Sequence, residues 1–193
     1  MRDELHRWLT REGVRFFERL GLQPGDRVLD FGCGDGVNSI PASKAVGKHG
    51  VVYALDRDRY SLKALEDKAS ELGIQNIVTV RDMDRLERVL RGENLDAALF
   101  FDVIHSYYFT QKQRTKLLTS VNEMMGESGL ISIFPRHMED YEISTVSETL
   151  HRLGFRLENT QSVSLMHDGF TTTGSTMTFR KNPGMYNAEN ETL

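Results

Sequence analysis

Between residues 28 and 36 the chain reads Val28-Leu29-Asp30-Phe31-Gly32-Cys33-Gly34-Asp35-Gly36. An apolar run closes on a carboxylate, and three glycines follow at alternate positions. This describes a buried strand turning sharply into a helix, because glycine reaches φ > 0 freely and leaves the backbone bare for a ligand. A dinucleotide is the usual occupant of such a turn, with its pyrophosphate on the helix N-terminus. Two details oppose it here. The dinucleotide fingerprint needs glycine at its first, third and sixth positions, and the sixth position counted from Gly32 is Val37. Asp30 and Asp35 also flank the place where a pyrophosphate would lie, and like charges at short range raise the cost of binding. The loop suits a cationic ligand.

Strand and helix signals alternate from this loop onward. Strands are predicted over 27–31, 51–55, 76–80, 96–101 and 130–134, and helices over 38–46, 59–72, 84–90, 111–125 and 139–153. Two further strands, 155–165 and 173–180, have no helix between them. His167-Asp168-Gly169 supplies a turn, so they form an antiparallel hairpin. Near-continuous apolar strands such as Val51 to Leu55 and Ala97 to Phe101 point to burial on both faces. The predicted fold is α/β: a Rossmann-like, doubly wound, mostly parallel seven-stranded sheet with a C-terminal antiparallel hairpin. An amphipathic helix over 3–20 precedes it, with Leu5, Trp8, Leu9, Phe16, Phe17 and Leu20 on or near one face and Gly13 weakening its middle. Residues 1–181 form one domain, with 1–21 as a candidate lid, and 182–193 form a mobile tail.

A chain of 193 residues is one domain by length, and 39% hydrophobic with 27% charged residues places it among ordinary globular proteins. Its net charge of −4 provides no general attraction to nucleic acid or an anionic membrane. No apolar stretch approaches the roughly 20 residues that span a bilayer. The N-terminus lacks the apolar core of a secretory signal, and one cysteine fits a reducing cytoplasm, the expected location.

In such a sheet ligands gather beyond the carboxyl ends of the strands. The predicted strands end in Asp30, Asp56, Arg81-Asp82 and Phe101-Asp102. Asp56 lies about 20 residues past the glycine loop, where a carboxylate accepts both ribose hydroxyls. Asp82 could accept an adenine amino group, with Met83 on the ring. Each acid alone reads more readily as a helix N-cap, and Asp58 and Asp84 are better placed for capping than Asp56 and Asp82. Four acids at successive strand ends make coincidence a poor account.

The run Leu20 to Gly36 resembles the first motif of the class I S-adenosylmethionine-dependent methyltransferases, and Gly47 to Asp56 resembles its sequel. Val80-Arg81-Asp82-Met83, Phe101-Asp102-Val103-Ile104-His105 and Met124 to Leu130 resemble the later motifs, in order and at the right spacing, over roughly residues 18 to 135. The closest flavour is that of small-molecule and quinone-type enzymes. The resemblance implies that S-adenosyl-L-methionine is the cofactor. Gly32, Cys33 and Gly34 would then meet its methionine part, with Asp30 beside the amino group and Phe101 nearby. Asp56 would take the ribose, Arg57 would pack near the adenine, and Asp82 and Met83 would hold that base. This cofactor carries a sulfonium and an ammonium and no phosphate, in agreement with the charge of the loop. Pro41 departs from the family, which has a helix former there, but proline is tolerated in a first turn. Cys33 reads as a small packing residue.

Methyl transfer is an in-line displacement, so a protein contributes mainly alignment and a dry site, with a general base where the acceptor arrives protonated. The loops after the fourth and fifth strands offer His105 or His137 as base, with Tyr107 and Tyr108 shaping the acceptor pocket. The competing reading makes these groups structural. The six histidines lack metal-ligand spacing, so no metal is expected. Arg7, Arg11, Arg15 and Arg19 form a basic ridge that reads better as a solvated face than as an anion contact. The acceptor pocket must come from the N-terminal helix, the post-strand loops and, in a homo-oligomer, a neighbouring subunit. A small-molecule acceptor is expected, with no nucleic-acid or membrane partner. The rivals are a noncatalytic S-adenosylmethionine-binding subunit or sensor and, disfavoured by Val37, a nicotinamide dehydrogenase.

Overall fold

The computed structural model describes residues 2–167 and 170–182. Among them run seven strands: β1 (Arg27–Phe31), β2 (Val51–Leu55), β3 (Ile77–Val80), β4 (Leu95–Phe101), β5 (Met125–Phe134), β6 (Phe155–His167) and β7 (Phe170–Lys181). They form one sheet in the order β3-β2-β1-β4-β5-β7-β6. The first five are parallel, whereas β7 runs antiparallel to both β5 and β6. From β1 the chain winds outward through β2 to β3, then returns to lay β4 on the other side of β1. The switch point therefore lies between the carboxyl ends of β1 and β4, where α/β sheets open a crevice for ligands.

Side chains alternate across this sheet and feed two cores. Val28, Ala97, Leu99 and Phe101 face a core shared with Phe16, Phe17, Ile40, Val46 and Leu65. Leu29, Phe31, Ala98 and Phe100 face the opposite core with Leu86, Leu118, Val121 and Leu150. Thus α2 (Gly13–Leu20), α3 (Ser39–Val46) and α4 (Arg59–Glu71) cover one face. The other is covered by α5 (Met83–Leu90), α6 (Gln111–Met124) and α7 (Asp140–Arg152). Each fully buried Leu or Phe contributes about 1.5–3 kcal/mol relative to an exposed one.

The N-terminal helix is present as expected, helical from Arg2 to Leu20, with a π turn inside it. It runs as α1 (Arg2–Arg7), a π turn (Trp8–Glu12) and then α2. The π turn leads into a tight contact with α3: a Cβ on Gly13 would lie 2.7 Å from the Trp8 carbonyl and 2.8 Å from Pro41 Cβ. Gly13 is therefore a contact residue, and the ring of Pro41 fills that contact from within the first turn of α3. Trp8 turns inward and donates its indole N–H to the Val37 carbonyl at 2.8 Å. Arg7, Arg11, Arg15 and Arg19 remain exposed, and Arg7 pairs with Glu12 at 3.2 Å. They make a solvated face.

Other boundaries also differ from expectation. Strand β5 starts at Met125, five residues early: α6 runs straight into a pairing of Met125 with Leu95, and a register shift leads on to Leu130 opposite Ala97. The hairpin strands are longer than predicted, while the expected turn at Asp168-Gly169 and residues 183–193 of the expected tail lie outside the described residues. Helix α4 is capped by Asp58, as expected. Helix α5 is capped by Asp82 and not by Asp84, because Asp82 is extended and its carboxylate accepts the Arg85 N–H at 2.7 Å. No helix of the described residues is long and apolar enough to cross a membrane.

Candidate active site

The end of β1 delivers the chain into three left-handed glycines, Gly32, Gly34 and Gly36, with φ of 75°, 53° and 84°. The N–H groups of Gly32 and Cys33 donate to the Leu55 carbonyl at 2.8 and 3.0 Å, fastening the loop to the end of β2. A Cβ on Gly32 would lie 2.4 Å from Val103, and one on Gly36 would lie 2.1 Å from Leu65. Nothing stands within 4 Å of a Cβ on Gly34. The outer glycines are thus held by packing, and the middle one offers bare backbone to a ligand.

Two carboxylates flank this opening. Asp56 accepts the Gly34 N–H at 2.9 Å through one oxygen and the Asp58 N–H at 2.8 Å through the other. Each oxygen keeps lone-pair capacity for a hydroxyl. Asp30 is 2% exposed and accepts from Ser39 Oγ at 2.5 Å. Burial pushes its carboxyl up to about 6; the Ser39 hydrogen bond opposes this and nearby Asp56 adds to it. Asp35, by contrast, turns outward onto the Lys68 ammonium at 2.5 Å. The negative character of the loop therefore rests on Asp30 and Asp56, and Asp35 carries less of it than its position suggests.

At the head of α3, Asn38 is 8% exposed, and its Oδ1 has no hydrogen-bond partner among the described residues. A buried acceptor left open is costly, and a donor-bearing cation would satisfy it. An open glycine backbone, two acids and an orphaned acceptor fit the ammonium, sulfonium and ribose of S-adenosylmethionine. Cys33 is buried and its thiol is pushed far up, by burial first and then by Asp30 and Asp56, which leaves it a packing group. Arg57 and Asp82 are exposed and Met83 is half-buried beyond β2 and β3. Phe101 sits deeper than expected, its ring parallel to Phe17 at 6.0 Å and edge-on to Phe16 at 6.1 Å.

Across the switch point, Asp102 follows β4 with φ of 56°, a conformation that L residues other than asparagine and aspartate rarely adopt. Its side chain is 5% exposed. The ring of His137, from the loop after β5, places Nδ1 2.7 and 2.8 Å from its two oxygens, and the His137 backbone N–H donates to it at 3.2 Å. A carboxylate only accepts, so Nδ1 carries the proton and Nε2 is left as the basic nitrogen. His105 packs beside this pair, with ring centroids 5.9 Å from His137, 4.8 Å from Tyr108 and 6.1 Å from Tyr107. Both tyrosines are largely exposed. The three residues singled out by sequence as catalytic, His105, Tyr107 and His137, are thus brought together.

Beneath this loop lies a buried ion pair. Arg114 of α6 donates to Glu142 of α7 and to the Ile104 carbonyl at 3.3 Å. Burial pushes the Glu142 carboxyl up, but hydrogen bonds from Glu139, Arg114 and Ser106 outweigh it and hold it below the usual range. Sequence reasoning missed Asn38, Arg114 and Glu142, and noticed Asp102 only as a strand-end acid without its partner. Arg and Glu 28 residues apart on two helices carry no local signal.

A glycine loop between two acids, at the switch point of a sheet closed by an antiparallel hairpin, defines the class I S-adenosylmethionine-dependent methyltransferase fold. The chain belongs to the methyltransferase-domain family, which it matches over residues 28–129. Over 76 residues it is 34% identical to a "probable cobalt-precorrin-6B C(15)-methyltransferase (decarboxylating)" of Saccharolobus solfataricus, covering 38% of each chain. Over 94 residues it is 33% identical to the 2-phytyl-1,4-naphtoquinone methyltransferase of Synechococcus elongatus, covering 49% of this chain and 39% of that one. The aligned stretches span about two-fifths of the length of these curated relatives. An rRNA methylase from Streptococcus thermophilus shares the fold, with a TM-score of 0.59, 19% identity, and coverage of 88% of this chain and 93% of that one.

Proposed function

We propose that this protein transfers a methyl group from S-adenosylmethionine to a small-molecule acceptor. The observation that carries the reading is the open backbone at Gly34, braced by Asp56 and flanked by buried Asp30, with the Asp102–His137 pair at the neighbouring strand end. S-adenosylmethionine supplies an electrophilic methyl on a sulfonium. Gly32, Cys33 and Gly34 hold the methionine end, Asp30 and Asn38 attract its ammonium, and Asp56 takes the ribose. Arg57, Asp82 and Met83 surround the adenine. The second Asp82 oxygen remains available, since the N-cap bond uses Oδ1.

His137 accepts the acceptor's proton at Nε2, while Asp102 holds the ring in that tautomer and stabilises the cation that forms. Tyr107, Tyr108 and His105 form the wall that receives the acceptor. The N-terminal segment, anchored by Trp8 on Val37, acts as a cover over the glycine loop. A small acceptor is supported by the corrinoid and quinone enzymes to which the chain is similar, and by its net negative charge. The lone buried cysteine suits a reducing, cytoplasmic setting.

Calorimetric titration with S-adenosylmethionine and S-adenosylhomocysteine, with NAD as control and Asp56→Ala alongside, tests the foundation. Micromolar binding of the first two, weakened at least tenfold in the variant, is expected. Binding of NAD alone, or of nothing, would overturn it. An acceptor screen including quinols, tetrapyrroles and ribosomal RNA then tests the substrate class, and methylation of RNA alone would overturn that part.

A further inference from the structure

We propose that Asp102, His105 and His137 form a binding site for one divalent transition-metal ion of the zinc or cobalt type. The potential ligand atoms of these three residues lie within 4.8 Å of one another, although they come from two separate loops. Imidazole nitrogen and carboxylate oxygen together suit zinc, cobalt, nickel and ferrous iron more than magnesium or calcium. His105 provides an independent indication. It is 8% exposed, yet neither of its ring nitrogens has a hydrogen-bond partner among the described residues; its described side-chain contacts are the rings of Tyr107, Tyr108 and His137. A mostly buried imidazole with both nitrogens unbonded among the described residues, beside a buried carboxylate, is an environment that a cation completes.

The geometry is close to what coordination needs. Four-coordinate geometry with metal–ligand distances of about 2.0–2.2 Å places ligand atoms roughly 3.3–3.6 Å apart, so the widest separation closes by at most about 1.5 Å on binding. His137, whose side chain is 55% exposed, has the freedom to provide it. The carboxylate of Asp102 already meets the ring of His137. On binding, the metal takes the Nδ1 lone pair of His137, and the ring proton that Nδ1 held toward Asp102 moves to Nε2, so the imidazole stays neutral. Three protein ligands leave a fourth position for an exogenous oxygen or nitrogen. Metal binding does not depend on the methyl-transfer reading; it depends only on these three side chains.

The test is titration of the whole, metal-stripped chain with cobalt(II) chloride followed by visible absorption, and with zinc chloride by competition against a chromophoric chelator. Expected are one equivalent bound and visible bands of low-symmetry cobalt. Asp102→Asn, His105→Ala and His137→Ala should each weaken binding at least tenfold, while His49→Ala leaves it unchanged. S-adenosylmethionine binding by the same variants reports that they are folded, and its failure in the parent chain would sink the methyltransferase reading without touching the metal site. No stoichiometric metal, or metal that all three variants retain, overturns the proposal.

Discussion

The carboxylate of Asp56 holds the backbone N–H of Gly34 at 2.9 Å, so an acid at the end of β2 braces the loop at the end of β1. Asp56 therefore has two jobs: it shapes the bare turn and offers its remaining lone pairs to a ribose. Its replacement should be felt in affinity more than in stability. Asp56→Ala is expected to cost about 1.5–3 kcal/mol of cofactor binding, the range for hydrogen bonds to a charged group, or roughly 10- to 100-fold in Kd. Calorimetry with S-adenosylhomocysteine measures it. An unchanged Kd would show that Asp56 only braces the loop.

Asp30 makes stability depend on pH. Its folded carboxyl sits near 6 against an ordinary 3.8, mainly through burial. Below the ordinary value both states hold it neutral and it costs nothing. Between about pH 4 and 6 the unfolded chain ionises first, so stability falls; above the folded value the loss is complete, about 3 kcal/mol. Asp30→Asn should remove this loss, with a gain near zero at about pH 4 that grows to a few kcal/mol at neutral pH. Urea unfolding of both proteins across that range checks it, and a gap independent of pH would count against it.

The three glycines should separate under substitution. Gly32→Ala and Gly36→Ala force a methyl against Val103 and Leu65 and also strain φ, and should each lose roughly 2–5 kcal/mol. Gly34→Ala meets open space and should lose only about 1–2 kcal/mol, from its left-handed φ. Its methyl instead occupies the ligand's approach, so cofactor affinity should fall. Denaturant midpoints and cofactor titration of the three variants test the contrast, and equal stability losses would refute it.

The Arg114–Glu142 pair ties α6 and α7 to the loop that carries His105. Both side chains are almost fully buried, so removing one leaves an uncompensated charge. Arg114→Met or Glu142→Gln alone should cost about 3–5 kcal/mol. The double variant Arg114→Met with Glu142→Leu should cost much less than the sum, because no charge is stranded. A double-mutant cycle by urea unfolding provides the coupling, and additive losses would mean the pair is not acting as a unit.

Much of this molecule is written locally. The strand-to-helix turn at Gly32 to Gly36, the alternation of apolar strands with amphipathic helices, and the acids closing β1, β2 and β3 are all short-range patterns. Backbone sterics and side-chain periodicity therefore determine them without reference to the rest of the chain. The sheet, its closing hairpin and the candidate cofactor residues Asp30, Gly34 and Asp56 were legible for that reason. Other features depend on what meets what after folding. The π turn at Trp8 leads into the contact of Gly13 with Pro41, and the early start of β5 arises because Met125 finds Leu95. Asp35 loses its role to Lys68, 33 residues away. The pairing of Asp102 with His137, the open nitrogens of His105 beside them and the Arg114–Glu142 support likewise join positions with no sequence signal in common. Burial turns such distant meetings into chemistry, because a charge or a ring nitrogen removed from water must be answered by whatever the tertiary structure places next to it.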